Sequence, residues 1–294
     1  MLRWLERDRR ILPGLVRDLN RKNIEPRFSG QMIVDIGKFF LGTPYREGTL
    51  ETEGPETLVV NLREFDCMTF VETVVALACL IRSGDKSFER FRSLLQKIRY
   101  RAGRPQGYAS RLHYFSDWIY DNQKRGVVRD VTAKVGGRPS RKTINFMTMH
   151  PNHYPPLRDP AIFWKMKTIE RTMNRRSLFL IPKKLLRRSE DQIHEGDLIA
   201  IMTNTEGLDV QHVGFAVRVK NRIHLLHASS QEGQVAVSAD TLYRYLMKNR
   251  ARSGVRVVRV LEEGIGRRTQ GKRGRSVRKK GRKICHDCQS YAPL

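Results

Sequence analysis

The chain has 294 residues, of which 29% are charged, and a formal net charge of +26 at pH 7. This length suits one large domain or a domain with a tail. No apolar run approaches the length of a membrane span, and the first ten residues are mostly charged and lack the apolar core of a signal peptide. We therefore expect a cytoplasmic protein as the sequence stands, or a cell-envelope protein if its true start lies upstream.

The N-terminal part is predicted to be helical. Residues 1–27 form a helical segment whose amphipathic pattern is interrupted at Pro13 and Gly14. A second helix is predicted from Ser29 to Phe40, because a capping serine precedes an apolar face at helical spacing. Residues 58–60 are predicted as a short strand that leads into the next helix.

Residues 65–72 are the most informative stretch, because they place a cysteine in the first turn of a predicted helix. Asp66 is a suitable N-cap for this helix, and Cys67 follows it directly. The positive end of the helix macrodipole favours thiolate, so Cys67 is a candidate nucleophile. The apolar face of the helix consists of Val71, Val74, Val75, Ala78 and Ile81. Taken alone, Cys67 is more simply interpreted as a buried structural cysteine, as we expect for Cys79.

Three further helices are predicted before the C-terminal strands, over residues 87–99, 111–122 and 159–174. In the second of these, Tyr114 and Trp118 fall on one face. Two interpretations are open for this aromatic face, a packed core helix or a subsite for sugar or peptide.

The next region is predicted to be an antiparallel meander of three strands, over residues 195–202, 209–217 and 222–230. His212 lies near the start of the second strand and His227 on the third. Neighbouring strands would place the two imidazoles side by side, so that His212 is a candidate base and His227 its orienting partner. His224 is three residues before His227, and strand alternation sends it to the opposite face.

The C-terminal part is predicted to contain a helix over residues 240–249, a strand over 255–261 and a basic tail over 264–294. The tail has ten Lys or Arg and one Asp and is predicted to be disordered. Such a tail is suited to bind nucleic acid or another anionic polymer. Its Cys285 and Cys288 have the spacing of half a zinc site, but without a second pair of ligands an incidental pair of thiols is the simpler interpretation.

Two other histidines, His150 and His153, have the spacing of metal ligands, within a predicted loop over residues 149–157. No carboxylate or cysteine lies between or directly beside them to complete a site. The sequence therefore predicts neither a metal nor another cofactor.

Several of these motifs resemble one known family in the same order. The segments that match are residues 41–45, 48–51, 65–72, 110–119, 149–151 with Tyr154, and the two histidine strands. They are similar to the N-acetylmuramoyl-L-alanine amidase-like branch of the NlpC-type, papain-like cell-wall cysteine hydrolases. The resemblance implies an α+β, papain-like NlpC-type domain over residues 28–263, with the nucleophile at a helix N-terminus packed on an antiparallel sheet that carries the histidines.

The resemblance also implies an activity and site residues. The expected reaction is hydrolysis of the bond between N-acetylmuramic acid, including its anhydro form, and L-alanine in peptidoglycan fragments. Cys67, His212 and His227 would be catalytic, and Tyr45 matches a tyrosine that lies near the nucleophile in this family. Arg111 is a candidate partner for substrate carboxylates, beside Tyr114 and Trp118.

Alternative functions remain open from the sequence. The same cysteine and histidines are suited to an endopeptidase that cuts within the stem peptide, or to an acyltransferase. The net charge and the basic tail are also compatible with a nucleic-acid-binding protein, although the folded part has no known reading motif. The sequence does not predict an oligomeric state.

Overall fold

The structure is a computed structural model, and it describes residues 2–21, 30–52 and 54–262, with side chains from residue 6 onward. The described helices are α1 (Leu2–Arg21), α2 (Gly30–Phe39), α3 (Cys67–Arg82), α4 (Phe88–Arg99), α5 (Phe115–Lys124), α6 (Phe146–Met149), α7 (Pro160–Met173), α8 (Leu186–Ser189) and α9 (Leu242–Met247). The predicted tail over 264–294, the Cys285 and Cys288 pair and the Ser29 cap lie outside the described residues.

One antiparallel sheet forms the centre of the described chain, in the order β2-β3-β8-β4-β5-β6-β7, with β1 also paired to β8. Its strands are β1 (Val128–Asp130), β2 (Arg138–Ser140), β3 (Leu178–Pro182), β4 (Leu198–Thr203), β5 (Val210–Val219), β6 (Arg222–Ser229), β7 (Gln234–Thr241) and β8 (Arg252–Val260). The predicted α+β class and the β4-β5-β6 meander are confirmed. The sequence missed β7 and the short strands β1 to β3.

The helix α3 is the central helix of the fold, and it packs against β5, β6, α2 and α4. Residues 69–80 are all buried, so this helix is covered on every side. Its Glu72 carboxylate accepts a hydrogen bond of 2.6 Å from Arg99 Nε of α4. This ion pair compensates two charges that would otherwise be costly to bury.

Three predictions about local structure were wrong. The helix α1 continues through Pro13, because Leu12, Leu15 and Leu19 bury an apolar face in the main core that offsets the lost backbone hydrogen bond. Residues 58–60 form no strand, since the Val59 carbonyl accepts from Arg99 rather than from a partner strand. The helix predicted to begin at residue 111 starts only at Phe115.

The late start of α5 has a local cause. The Leu112 N–H donates to the Arg99 carbonyl at 3.0 Å, and Arg111 forms an isolated bridge with Tyr100. These bonds hold residues 111–114 extended beside the end of α4.

In the part of the chain that the structure describes, no helix has the length and apolar character needed to cross a membrane.

Candidate active site

Cys67 is the first residue of α3, as the sequence predicts. The Asp66 carboxylate accepts from the Thr69 N–H at 2.7 Å, and the Thr69 hydroxyl oxygen accepts from the Asp66 N–H at 3.0 Å. This reciprocal capping box fixes the first turn of the helix. The helix N-terminus therefore holds the thiol in a defined position, partly exposed and at the end of the central helix.

The two predicted histidines lie side by side on β5 and β6, with His212 Nε2 at 2.6 Å from His227 Nδ1. Their rings are nearly perpendicular, at 81°. Gly214, two residues after His212 on β5, makes this approach possible. A Cβ at Gly214 would lie 2.9 Å from the His227 Cβ and 2.8 Å from the Leu226 carbonyl oxygen.

Cys67 and His212 line one small cavity of about 180 Å³. The rest of its wall is mainly aromatic and apolar, with Tyr114, Phe115, Phe146 and other residues of the segments 113–115, 146–147, 154 and 208–213. Cys67 and His212 thus line the same cavity, as the sequence predicts, although their positions in the chain differ by 145.

Burial favours the neutral forms of the Cys67 thiol and of the two imidazoles. Burial, followed by the negative charge of Asp66, raises the pKa of the Cys67 thiol to about 12. Hydrogen bonds from the backbone N–H groups of Val213, Cys67 and Met68 act in the opposite direction. In this structure the loss of water on burial outweighs the stabilisation of thiolate by the helix terminus.

The histidines are also neutral. Burial, then His227 and then Arg252, lowers the pKa of His212 to about 3. Burial and Arg252 lower the pKa of His227 to about 4. At neutral pH the site therefore holds an uncharged thiol and two uncharged imidazoles.

Two residues that the sequence did not predict act on the histidines, Tyr245 by ring contacts and Arg252 through its charge. The ring of Tyr245, from α9, lies 5.7 Å from the His227 ring at 84° and 6.4 Å from the His212 ring. The guanidinium of Arg252, at the start of β8, lies 3.9 Å above the Tyr245 ring. His227 Nε2 is buried and has no hydrogen-bond partner among the described residues. Their positions depend on tertiary packing, because α9 contacts β6 and β7, and β8 lies beside β4.

Tyr45 lies close to the thiol. It forms a parallel bridge with Phe65, and the Arg46 N–H donates to the Phe65 carbonyl at 2.9 Å. Burial and the neighbouring Cys67 raise the pKa of Tyr45 to about 12. The long spacing between Tyr45 and Cys67 in the sequence is therefore bridged by backbone pairing.

The predicted substrate residues fall into different places. Tyr114 lines the cavity, but its hydroxyl donates to Glu170 at 2.6 Å and accepts from the Met147 N–H at 2.8 Å. Arg111 is buried, and its guanidinium donates to the Leu50 carbonyl at 2.9 Å and to the Glu51 carboxylate at 2.7 Å. Its role toward a substrate stays a prediction.

Trp118 requires a correction. Its side chain is completely buried and stacks on Phe115 at a centroid distance of 5.1 Å within the main core. A side chain with no exposed surface cannot contact a substrate in this structure, so the core interpretation applies. The helical spacing did not distinguish these outcomes, because it gives a face but not what covers that face.

The described residues include no group of three His, Cys, Asp or Glu side chains that is arranged to hold a metal ion. His150 and His153 stack with their ring centroids 5.6 Å apart, and His150 also contacts Phe146. The spacing of these two histidines in the sequence therefore brings their rings into contact with each other.

Comparison with known proteins assigns the family. Residues 35–255 match the family model described as AmiA-like, N-acetylmuramoyl-L-alanine amidase-like. The chain belongs to the N-acetylmuramoyl-L-alanine amidase-like family. This confirms the narrower part of the predicted resemblance. No curated protein matches the chain significantly.

Solved structures agree with this amidase-like family. An N-acetylmuramoyl-L-alanine amidase from Bacteroides uniformis is 40% identical, with a TM-score of 0.75, over 79% of this chain and 99% of that one. A Bacteroides fragilis protein described as a candidate xylanase is also 40% identical, with a TM-score of 0.73, over 76% and 99%. A Legionella pneumophila protein at 24% identity, with a TM-score of 0.67 over 88% and 96%, shares the fold.

Proposed function

We propose that this protein is a cysteine amidase that hydrolyses the bond between N-acetylmuramic acid and L-alanine in peptidoglycan fragments. The observation that carries the proposal is the 2.6 Å contact between His212 and His227, beside a cavity that His212 shares with the Cys67 thiol. Cys67, His212 and His227 would then be the nucleophile, the base and the group that orients the base, which are the parts that covalent amide hydrolysis needs. Family membership supplies the substrate class.

In the proposed acylation step, Cys67 Sγ attacks the amide carbonyl carbon while its proton passes to His212. The neutral resting pair makes this transfer concerted with attack, since neither the thiolate nor the imidazolium is stable beforehand. The carbonyl π electrons move to oxygen, and the Cys67 backbone N–H at the helix start is a suitable donor to that oxyanion. His227 accepts from the His212 Nε2–H and stabilises the imidazolium that forms.

The remaining steps return the enzyme to its starting state. The carbon–nitrogen bond breaks as His212 donates its proton to the leaving amine of L-alanine, which leaves a thioester on Cys67. Water then attacks the thioester carbon and gives a proton to His212, and the thiol is restored as the carboxylic acid product leaves. All three roles use residues that lie within or directly beside one cavity.

A glycosidase is the second function to consider, because one relative is described as a candidate xylanase. Glycoside hydrolysis generally uses two carboxylates that flank the bond. Among the described residues that line the Cys67 cavity, Asp209 is the only carboxylate, and its Oδ2 already accepts from the Ser116 N–H at 2.8 Å. The chemistry of this cavity therefore favours an amidase.

Three finer parts of the hypothesis belong to the proposal as well. They are a papain-like NlpC relationship for the fold, a preference for anhydro-muropeptides, and the roles of Tyr45, Arg111 and Tyr114 toward substrate. The first of these is supported by a cysteine at a helix N-terminus beside an antiparallel sheet that carries the histidines.

The test is mass spectrometry of an anhydro-muropeptide treated with the full-length protein and with Cys67→Ala. We expect the wild-type protein alone to release an intact stem peptide that begins with L-alanine. Circular dichroism should show that Cys67→Ala is folded. Cleavage within the stem would instead assign an endopeptidase, and full activity of Cys67→Ala would disprove the nucleophile.

A further inference from the structure

A second cavity, of about 770 Å³, lies between α5 and the paired strands β2 and β3. We call it the basic cavity, because most of the charged side chains that line it are cationic. Five cationic side chains and one carboxylate line it, namely Arg141, Lys142, Arg175, Arg176, Arg256 and Asp130. A concave site with fixed cations concentrates anionic ligands.

Three of the cations are held by the protein. Arg256 is 5% exposed and donates to the Ser116 hydroxyl at 2.8 Å and to Asp130 at 2.6 Å. Its Nε is buried without a partner among the described residues. Arg176 pairs with Asp117 at 2.7 Å, and Lys142 donates to the Thr203 carbonyl. These contacts fix positive charge in the wall of the cavity.

The other two cations are available to a ligand. Arg141 follows β2 and Arg175 follows α7, and both are exposed. Neither makes an ion pair or a side-chain hydrogen bond within the described part of the chain. A guanidinium binds a carboxylate through two parallel hydrogen bonds, so each is suited to an anionic group.

The basic cavity and the cavity of Cys67 share a wall. Phe115 lines the Cys67 cavity and its neighbour Ser116 lines the basic cavity. The Ser116 N–H donates at 2.8 Å to Asp209, which faces the Cys67 cavity. The segment after β2 also passes from one cavity to the other, through Ile144 and then Phe146. The two cavities are thus adjacent.

The volumes show why a second site is needed. The Cys67 cavity has about 180 Å³, whereas pockets that bury a small ligand typically have about 300–1,000 Å³. Most of a muropeptide must therefore lie outside the Cys67 cavity. The basic cavity, at about 770 Å³, is adjacent and has the charge that complements a stem peptide with free carboxylates.

We propose that the basic cavity binds the carboxylates of the stem peptide, on the leaving-amine side of the scissile amide, with Arg141 and Arg175 as the main contacts. This inference rests on the proposed amidase function. It assigns substrate recognition to two residues that are far from Cys67 in sequence and that take no part in the bond-breaking steps.

The test measures binding directly, by titration calorimetry on the full-length Cys67→Ala protein, which removes the nucleophile. The ligands are a muropeptide with free stem carboxylates and the same muropeptide with those carboxylates amidated. We expect Arg141→Gln with Arg175→Gln to raise Kd for the free acid roughly tenfold, the effect of about one lost charge-assisted contact. Kd for the amidated ligand should change less than twofold.

The control is Arg104→Gln with Lys165→Gln, which removes the same two charges from exposed positions that line neither cavity. An equal loss of affinity for both ligands, or a similar effect of the control pair, would overturn the inference, and so would an absence of binding to the free acid. Carboxylate-dependent binding without release of L-alanine-initiated peptide by wild type would refute the amidase reaction and leave the binding site.

Discussion

The Cys67 cavity and the basic cavity use opposite electrostatic conditions in one protein. In the first, burial removes charge from Cys67, His212 and His227, so the groups proposed for chemistry are neutral at rest. In the second, Arg141 and Arg175 remain exposed and charged. The two cavities therefore suit different tasks. Preorganised donors stabilise developing charge most strongly where water is excluded, whereas recognition of carboxylates requires permanent positive charge.

The largest effect should follow from removal of the proposed base. We expect His212→Gln to lower kcat about a thousandfold, because general acid–base catalysis contributes roughly 10²–10⁴. The protein should remain folded, as judged by circular dichroism. His224→Gln is the matched control, since His224 bonds to the Ser238 carbonyl at 2.8 Å, outside the Cys67 cavity. A kcat in His212→Gln within a few-fold of wild type would refute this role.

The second prediction tests the approach of the two histidines. In Gly214→Ala, the new Cβ meets the His227 Cβ at 2.9 Å and the Leu226 carbonyl oxygen at 2.8 Å. We expect kcat to fall about a hundredfold, since small displacements of catalytic groups are costly. Gly14→Ala, where the nearest atom is 3.7 Å away, should leave kcat unchanged. If Gly214→Ala retains full activity, the close packing of β5 on His227 is not required for catalysis.

The third prediction concerns the charge beside the histidines. Arg252 lowers the pKa of both His227 and His212, after burial. In Arg252→Met the two pKa values should rise toward 6.5, and the acid limb of kcat/KM should move up by about one pH unit. Arg252→Lys preserves the charge and should keep the wild-type profile. Identical pH profiles of kcat/KM for Arg252→Met and Arg252→Lys would show that packing on Tyr245 is the main role of Arg252.

The smallest expected effect is on the pH dependence of the free energy of unfolding. It should depend on the two histidines and not on the arginines of the basic cavity. His212 and His227 have folded pKa values of about 3 and 4, against about 6.5 in the unfolded chain. The unfolded state therefore binds more protons below pH 6.5, and the free energy of unfolding should fall as pH decreases from 6.5 toward 4. Each histidine contributes up to about 1.4 kcal/mol per pH unit in that window.

Urea unfolding at several pH values measures this slope. His212→Gln with His227→Gln should reduce it, while Arg141→Gln with Arg175→Gln should not, because guanidinium groups do not titrate there. An unchanged slope in the histidine variant would mean that the imidazoles are not kept neutral by folding.

Much of the fold and of the candidate site is accessible from local patterns. The bounds of α3 follow from the Asp66 cap and the apolar spacing, and the meander follows from the alternation in β4 to β6. Strand alternation also predicts that His212 and His227 lie together and that His224 points elsewhere. These features depend on neighbouring segments of the chain, as with His212 and His227, which are 15 residues apart.

The sequence alone therefore determined the α+β class, the Asp66 cap before Cys67 and the pair of histidine strands. The tertiary structure decided three other matters: the neutral state of the thiol, the burial of Trp118 in the core, and the position of Tyr245 and Arg252 beside His227. The reason is physical. Secondary structure depends on short-range sterics and spacing, whereas burial and pKa depend on which distant segments cover a side chain.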